Sequence, residues 1–232
     1  MTKATPTAAT GTTATTGTTA TTGMRGRKRE RTRRAIADAA FRLFAEQGFE
    51  AVTLTRIAAE ADVAPATVFT HFASKEDIFF SRREEFRAGL PDAVAPARTG
   101  AELLAAVRDF YAHGVELVLD PDRIETGRVF ARVLRGSPTL MSGYLPMSRE
   151  RQRLLTESLT ERAPRASRAE LELFAALAVA AGERAYEVLH TALVAGEPVE
   201  RVRAVATEAL DLGFSRLAHA YEGSHVLDAE PS

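Results

Sequence analysis

The sequence predicts an all-α protein in which a small three-helix unit precedes a larger helical bundle. Apolar residues recur at the i, i+3, i+4 and i+7 spacing of amphipathic helices, and no strand signal interrupts the C-terminal two-thirds of the chain. Capping residues, glycines and prolines mark where the helices end. With 232 residues and 45% apolar residues, the chain is long enough for two domains and apolar enough for a core.

The first helix of the three-helix unit is predicted from an apolar stripe that follows Arg33. Its buried face is formed by Ile36, Ala39, Ala40, Leu43 and Phe44. Gly48 comes just after this stripe, and a glycine in that place is typical of a helix C-terminus. We therefore expect this helix to end at Gly48.

Two short helices joined by a tight turn are predicted next. Thr53 is expected to cap the first by accepting from its free N–H groups, and Asp62 is expected to take the left-handed backbone of the turn. Pro65 suits the first turn of the second helix, since its missing N–H would have no partner there. Ser74 and Asp77 form a variant capping box for the helix that follows.

The second short helix is expected to bury Val68 and Phe72 against the first helix. Its outward side is then formed by Pro65, Ala66, Thr67, Phe69, Thr70 and His71. A helix, a tight turn and a second exposed helix are typical of helix-turn-helix units, which place one helix in the major groove of DNA.

Across residues 31–80 the chain resembles the N-terminal DNA-binding domain of the TetR family of bacterial transcriptional regulators. The resemblance rests on features in one order: the segment AAFRLFAEQGF, Thr53, the IA..A.V turn, Thr67, Phe69 and HF..K. It implies a homodimer, formed through the last two helices, that binds a pseudopalindromic operator in double-stranded DNA. It also implies a C-terminal helical domain that binds a small-molecule effector. An ordinary three-helix bundle without DNA binding is the alternative.

The resemblance also implies roles for single residues of the DNA-binding domain. Phosphate contacts are expected from Thr53, Thr67, His71 and Lys75, and base-edge contacts from Pro65, Ala66, Phe69 and Thr70. Ala64 stands where the family often has Ser or Thr, so the second short helix lacks a hydroxyl cap worth about 1 kcal/mol. Its outward side also lacks Arg, Lys, Asn and Gln. Readout is therefore expected from thymine methyl contacts, Thr hydroxyls and DNA shape.

A basic segment precedes the helix-turn-helix unit, with seven basic residues and one acid between Arg25 and Arg34. We predict an arm in which Arg25, Arg27 and Lys28 follow DNA phosphates or enter the minor groove. A solvated run that only aids solubility is the alternative. Residues 24–83 hold 12 basic and 8 acidic residues, whereas residues 84–232 hold 17 basic and 23 acidic residues. This distribution is typical of a basic DNA-binding domain joined to an acidic regulatory domain.

The remaining helices are predicted at 74–90, 101–119 and 122–135, from a cap at Ser137 to about residue 162, at 167–194 and at 198–221. Gly143 and Pro146 are expected to break or kink the fourth of these. The last two helices are rich in small and apolar residues, so we expect them to form the dimer interface, with the core of one chain as the alternative.

A ligand cavity is expected among the middle helices. The predicted lining is Phe110, Phe130, Met141, Tyr144, Met147, Phe174, Tyr186 and His190, because small-molecule sites combine apolar walls with few polar anchors. Such residues at helical spacing are also ordinary core, which is the alternative for each of them. The segment RVLRGSPTL resembles a stretch of TetR-type regulators that respond to lipophilic compounds, so an apolar effector is expected.

The predicted domains are a disordered Thr/Ala/Gly tail at 1–23, a helix-turn-helix DNA-binding domain with its basic arm at 24–80, a ligand-binding and dimerisation domain at 81–222, and a flexible tail at 223–232. We hypothesise that translation begins at Met24, which mass spectrometry of the native protein tests. The helix at 74–90 is expected to carry the ligand signal between the two domains.

Other classes of protein are disfavoured by what the sequence lacks. No cysteine, HExxH motif, P-loop or nucleophile elbow is present, so we expect no enzyme activity, metal or cofactor. No apolar run approaches the roughly 18 residues of a membrane span, and we expect a cytoplasmic protein. A ligand-responsive repressor is the predicted function. A helical sensor of small molecules or proteins without sequence-specific DNA binding is the alternative.

Overall fold

The computed structural model describes residues 18–81, 89–163 and 165–229, with side chains from residue 26 onward. All of its regular elements are α-helices in this part of the chain, and they are listed here in order: α1 Thr18–Gln47, α2 Leu54–Glu60, α3 Pro65–His71, α4 Lys75–Phe80, α5 Leu90–Val94, α6 Gly100–Leu119, α7 Ile124–Gly136, α8 Pro138–Arg162, α9 Arg168–Val194 and α10 Val199–Ala220. The predicted all-α fold class is confirmed.

The ends of the first helices follow local rules, as the sequence predicted. Thr53 accepts from the backbone N–H of Arg56 at the start of α2, and Ser74 accepts from that of Asp77 at the start of α4. The Asp77 carboxylate in turn accepts from Ala73. Gly48 has a φ of 78° and Asp62 a φ of 52°, so both take the left-handed conformation that their turns require.

The core of the helix-turn-helix unit extends beyond the unit itself. Apolar side chains of α1 to α4 pack together, and the cluster also includes Phe130, Val133 and Leu134 of α7 and Leu140 of α8. The Phe79 ring of α4 stacks on the Phe130 ring with centroids 4.5 Å apart. The junction of α7 and α8, which we call the α7–α8 corner (residues 130–144), is thus part of the first core.

The second core lies among α5, α6, α8, α9 and α10, with α9 at its centre. Small residues allow α9 and α10 to approach closely, since a Cβ on Gly213 would lie 2.9 Å from that of Ala181. Capping boxes at Thr99 and Ser167 start α6 and α9, the latter as predicted. No helix in the described residues is both long and apolar enough to cross a membrane.

Two expectations about the chain's ends and connections differ from the structure, and a third falls partly outside the described residues. Residues 18–23, predicted to be disordered, continue α1 toward the N-terminus, because extending an existing helix avoids the cost of nucleation. The helix α8 passes through Pro146 without a break, and its buried side is held by the second core. The predicted helix at 74–90 includes residues 82–88, which lie outside the described residues.

The C-terminal segment 223–229, predicted to be flexible, folds back onto the start of α6. Leu227 is buried there in the second core. The Asp228 carboxylate accepts from the Gly100 N–H at 2.7 Å, and the Ala229 N–H donates to the Arg98 carbonyl at 2.8 Å. The hydrogen bond from Gly100 lowers the pKa of Asp228. One apolar anchor and one carboxylate at a helix N-terminus are enough to fix the segment.

Candidate functional site

The outward side of α3 is exposed and carries no Arg, Lys, Asn or Gln. Val68 is buried, whereas Pro65, Ala66 and Thr70 are exposed and Phe69 is 61% exposed. The Thr70 hydroxyl donates to the Ala66 carbonyl at 3.0 Å, so its oxygen is left to accept from a partner outside the helix. This side is therefore accessible to a partner, and its contacts with base edges stay a prediction.

The orientation of α3 depends on Arg33 of α1, a residue for which the sequence analysis assigned no role. No side chain caps the N-terminus of α3 at Ala64, as expected. At the other end, the Arg33 guanidinium donates to the His71 carbonyl at 2.9 Å and lies over the Phe72 ring, 4.4 Å from its centroid. The helix is therefore fixed from its C-terminal end, where a cation also favours the helix dipole.

Lys75 is placed differently from the prediction. Its ammonium group donates to the carbonyls of Phe49 at 2.7 Å and Val52 at 2.9 Å, and it lies 4.2 Å from the centroid of the Phe49 ring. These contacts hold the loop between α1 and α2. The predicted phosphate contact stays a prediction, and it would require the amine to leave two carbonyls and a ring.

His71 and the hydroxyls of Thr53 and Thr67 are the other predicted phosphate contacts. His71 is half-buried, and its Nδ1 has no hydrogen bond in the described part of the chain. Burial first, and then the charges of Arg29 and Arg33, lower the pKa of His71. Both causes disfavour the charged imidazolium in the free protein, whereas a bound phosphate would favour it.

The basic segment is helical and not an extended arm. Arg27 and Lys28 are exposed on the N-terminal extension of α1, where Arg34 and Glu30 form an i, i+4 ion pair at 2.9 Å. Lysine, arginine and glutamate are good helix formers, which explains why the segment continues the helix. The side chain of Arg25, also predicted to contact DNA, lies outside the described residues.

A cavity of about 390 Å³ lies where α7, α8 and α9 meet. Three of the predicted lining residues, Met141, Tyr144 and His190, lie on its walls. The rest of the lining was not predicted: Leu134, Arg135, Ala180, Glu183, Arg184 and Glu187. The cavity is thus more charged than expected, and no local sequence signal shows that α7 and α9 bring these residues together.

The other five predicted lining residues belong to the packing around the cavity. Phe174 is fully buried against Tyr221, and Phe110 packs edge-on against Tyr111. Tyr186 also lies in the second core. Phe130 and Met147 pack with the core of the helix-turn-helix unit. None of the five is in the described lining of this cavity, and their part in a ligand site stays a prediction.

A buried ion pair supports one wall of the cavity. The Arg151 side chain of α8 is 5% exposed and donates to Glu183 of α9, whose side chain is 17% exposed. Ser148 donates to the second carboxylate oxygen at 2.8 Å. Burial raises the pKa of Glu183, while Arg151 and Ser148 oppose that shift. Glu183 lines the cavity and Arg151 lies behind it, so the carboxylate is the group that a ligand meets.

The α7–α8 corner is also tied to the helix-turn-helix unit by polar contacts. Ser137 is the N-cap of α8 and donates to Glu50, in the loop between α1 and α2, at 2.6 Å. Thr139 donates to the other carboxylate oxygen at 3.2 Å. The hydrogen bond from Ser137 is the main cause that lowers the pKa of Glu50. We call this contact the Glu50 latch.

Comparisons with known proteins agree with this geometry. The family model for bacterial regulatory proteins of the TetR family matches residues 36–81, which include α2, α3 and α4. The transcriptional regulator TcmR of Streptomyces glaucescens is 34% identical over 150 residues, covering 60% of this chain and 63% of that protein. The repressor AcnR of Corynebacterium diphtheriae is 29% identical over 136 residues, covering 57% and 64%. The matched part of the chain thus spans less than two thirds of the length of these relatives.

The solved structures support the same fold over most of the chain. SmeT, a repressor from Stenotrophomonas maltophilia, in its complex with triclosan covers 80% of this chain and 90% of its own, with a TM-score of 0.54 and 19% identity. At this identity the likeness concerns the fold alone. It extends beyond the helix-turn-helix unit into the helices that enclose the cavity.

Proposed function

The chain belongs to the TetR family of bacterial regulatory proteins, and we propose on that premise that it is a dimeric, ligand-responsive repressor. In this proposal the free dimer holds two α3 helices about one DNA turn, roughly 34–36 Å, apart on an operator. An apolar effector in the cavity favours another spacing and lowers operator affinity by its differential binding energy. The α7–α8 corner is the observation that supports this function best.

The corner has one side in the cavity and the other in the core of the DNA-binding domain. Leu134 is buried in that core and also lines the cavity. Phe130 stacks on Phe79 and lies 5.9 Å from the ring of His190, a cavity residue. A ligand that moves the start of α8 would therefore also move Phe79 and the Glu50 latch. This corner takes the signalling role first predicted for the helix at 74–90.

The dimer is proposed to form through α9 and α10. Leu173 and Leu177 of α9 and Leu212 of α10 are large apolar side chains that stay exposed in a single chain. Most other apolar residues of these helices, such as Phe174 and Leu210, are buried within the chain. Exposed leucines on two adjacent helices are typical of a surface that a second copy covers. As a DNA-binding regulator, the protein is proposed to act in the cytoplasm and to have no catalytic role.

A sensor without sequence-specific DNA binding is the second candidate. The observation that favours it is the outward side of α3, which carries no Arg, Lys, Asn or Gln to make bidentate contacts with bases. The repressor is preferred because exposed Phe69 and Thr70 offer apolar and hydroxyl contacts instead.

Fluorescence anisotropy separates the two candidates. DNA that flanks the protein's own gene is compared with scrambled DNA of the same length across a salt series. A repressor binds the native DNA selectively, with an affinity that falls steeply with salt as counterions are released. Equal and weak binding to both DNAs would favour the sensor.

A further inference from the structure

The walls of the cavity indicate the chemistry of the effector, an inference that rests on the proposed ligand-responsive function. Its apolar part is formed by Leu134, Met141, Ala180 and the Tyr144 ring. Glu183 is the one charged residue of the described lining that combines low exposure with a buried ion-pair partner. Glu183 is therefore the partly buried charged group that a ligand filling the cavity would meet.

The Glu183 carboxylate is arranged to accept a further hydrogen bond. One oxygen accepts from Arg151 and the other from Ser148, whereas a carboxylate has about four lone-pair positions. Arg151 is not part of the described lining and lies over the Tyr144 ring, 5.7 Å from its centroid. Arg151 and Ser148 thus fix the carboxylate from behind and leave its remaining lone pairs for a donor in the cavity.

The surrounding charges disfavour an ionised ligand at this position. An anion at Glu183 would bring two carboxylates together in a poorly solvated place, which is strongly unfavourable. A cation gains little there, because Arg151 already neutralises Glu183. In addition, Arg184 pairs with Glu187, and Arg135 adds a further positive charge to the lining. A neutral hydrogen-bond donor avoids both penalties.

We propose that the effector is a neutral aromatic molecule of the phenol class, whose hydroxyl donates a hydrogen bond to Glu183. Its ring lies among the apolar side chains and the rings of Tyr144 and His190. Arg151 and Ser148 are positioning residues, since they hold the carboxylate in place without lining the cavity.

Four compounds with the same naphthalene ring test this assignment on the full-length protein without DNA. They are 2-naphthol, which donates; 2-methoxynaphthalene, which only accepts; 2-naphthoate, an anion; and 2-naphthylmethylamine, a cation. Affinity is measured by calorimetry and by displacement of the fluorescent probe N-phenyl-1-naphthylamine. We expect 2-naphthol to bind at least tenfold more tightly than each of the others.

The role of Glu183 is tested with a paired variant, because Glu183→Leu alone would leave Arg151 buried without its partner. The double variant Arg151→Met/Glu183→Leu removes both charges and keeps the volume similar. In it, 2-naphthol and 2-methoxynaphthalene are expected to bind equally while probe binding persists. The control Arg135→Gln/Arg184→Gln is expected to keep the preference for 2-naphthol.

Two results would overturn the proposal. Equal binding of the four compounds to the wild type would show that Glu183 selects nothing. Tightest binding of 2-naphthoate, lost in Arg135→Gln/Arg184→Gln, would assign an anionic effector held at the mouth. Both results would leave the repressor function standing, since DNA binding is measured separately. That function fails only if operator DNA is not bound selectively.

Discussion

The DNA-binding domain and the region around the cavity differ in what several of their polar side chains bind. In the DNA-binding domain, four polar side chains bind backbone groups: those of Arg33, Thr53, Ser74 and Lys75. Around the cavity, polar side chains bind one another across helices. The first arrangement fixes the backbone of a small unit, and the second creates a polar wall inside an apolar bundle.

The largest expected effect comes from adding a methyl group where α9 packs closely against α6. A Cβ on Gly182 of α9 would overlap the ring of Tyr111, which is fully buried in α6. Gly182→Ala is therefore expected to destabilise the protein by about 3 kcal/mol, the upper part of the range for overpacking. Urea denaturation followed by circular dichroism measures this change.

Gly143→Ala is the matched control in α8. A Cβ there would lie 3.4 Å from the Phe80 ring, which is ordinary contact. Because alanine is favoured over glycine inside a helix by up to about 1 kcal/mol, this variant is expected to be neutral or stabilising. Equal losses from both substitutions would show that the close approach of α6 and α9 does not depend on Gly182.

Lys75→Met tests whether the Lys75 side chain stabilises the fold by donating hydrogen bonds to backbone carbonyls. Removing the ammonium also removes the hydrogen bonds that Lys75 donates to the carbonyls of Phe49 and Val52. We expect a loss of about 2 kcal/mol in unfolding free energy, as for other hydrogen bonds to charged groups. Thermal and urea denaturation in the absence of DNA measure it.

Lys28→Met is the control, at an exposed lysine on the N-terminal extension of α1 that is predicted to contact DNA. Lys28 is exposed, so its substitution is expected to leave the unfolding free energy unchanged. The slope of log DNA affinity against log salt concentration is expected to fall in magnitude by about one. If Lys75→Met instead kept full stability and lost DNA affinity, the phosphate contact predicted for Lys75 would be supported.

The contrast between the two regions also explains what the sequence could predict. Caps such as Thr53 and Ser74 act on residues three positions away, so a short pattern identifies them. Gly48, Asp62 and Pro65 likewise carry their backbone conformations within a few residues. The helix-turn-helix unit and its exposed side were predictable for this reason.

The cavity wall was not predictable, because its partners are distant in the sequence. Arg151 and Glu183 are 32 positions apart, and Glu50 and Ser137 are 87 apart. On sequence alone, each is one charged or polar residue on an amphipathic helix or in a loop. Of the aromatic residues predicted to line the cavity, Tyr144 lies on its wall, whereas Phe174 is buried in the second core. Only the packing of α7, α8 and α9 decides which side chains reach the cavity.

Phe69→Ala sharpens the comparison from the side of DNA recognition. The ring is 61% exposed, so it contributes little to the fold. Burial of a phenyl ring in a groove is worth about 1.5–3 kcal/mol, and we expect roughly a tenfold loss of operator affinity. Anisotropy with operator and scrambled DNA measures the loss of selectivity, and unchanged denaturation confirms that the fold is intact. Unchanged affinity for the operator would remove Phe69 from the interface.

The smallest effect concerns the Glu50 latch, which joins the two regions. Ser137→Ala removes the N-cap of α8 and the hydrogen bond to Glu50, whereas Thr99→Ala removes only a cap, at the start of α6. Each is expected to cost about 1 kcal/mol of stability. Only Ser137→Ala is expected to weaken the coupling between probe binding and DNA binding, because only that hydroxyl contacts the DNA-binding domain.

Glu50→Gln, Ser137→Ala and the variant that carries both substitutions form a double-mutant cycle for the Glu50 latch. Hydrogen bonding from Ser137 lowers the pKa of Glu50, so the stabilisation is present above the unfolded carboxyl pKa of about 4.5 and is lost as the pH falls through the lower folded value. If the effects of Glu50→Gln and Ser137→Ala on unfolding free energy add at pH 7, the two side chains act independently. A non-additive loss of ligand response, absent with Thr99→Ala, would identify the corner as the route by which the cavity and the DNA-binding domain communicate.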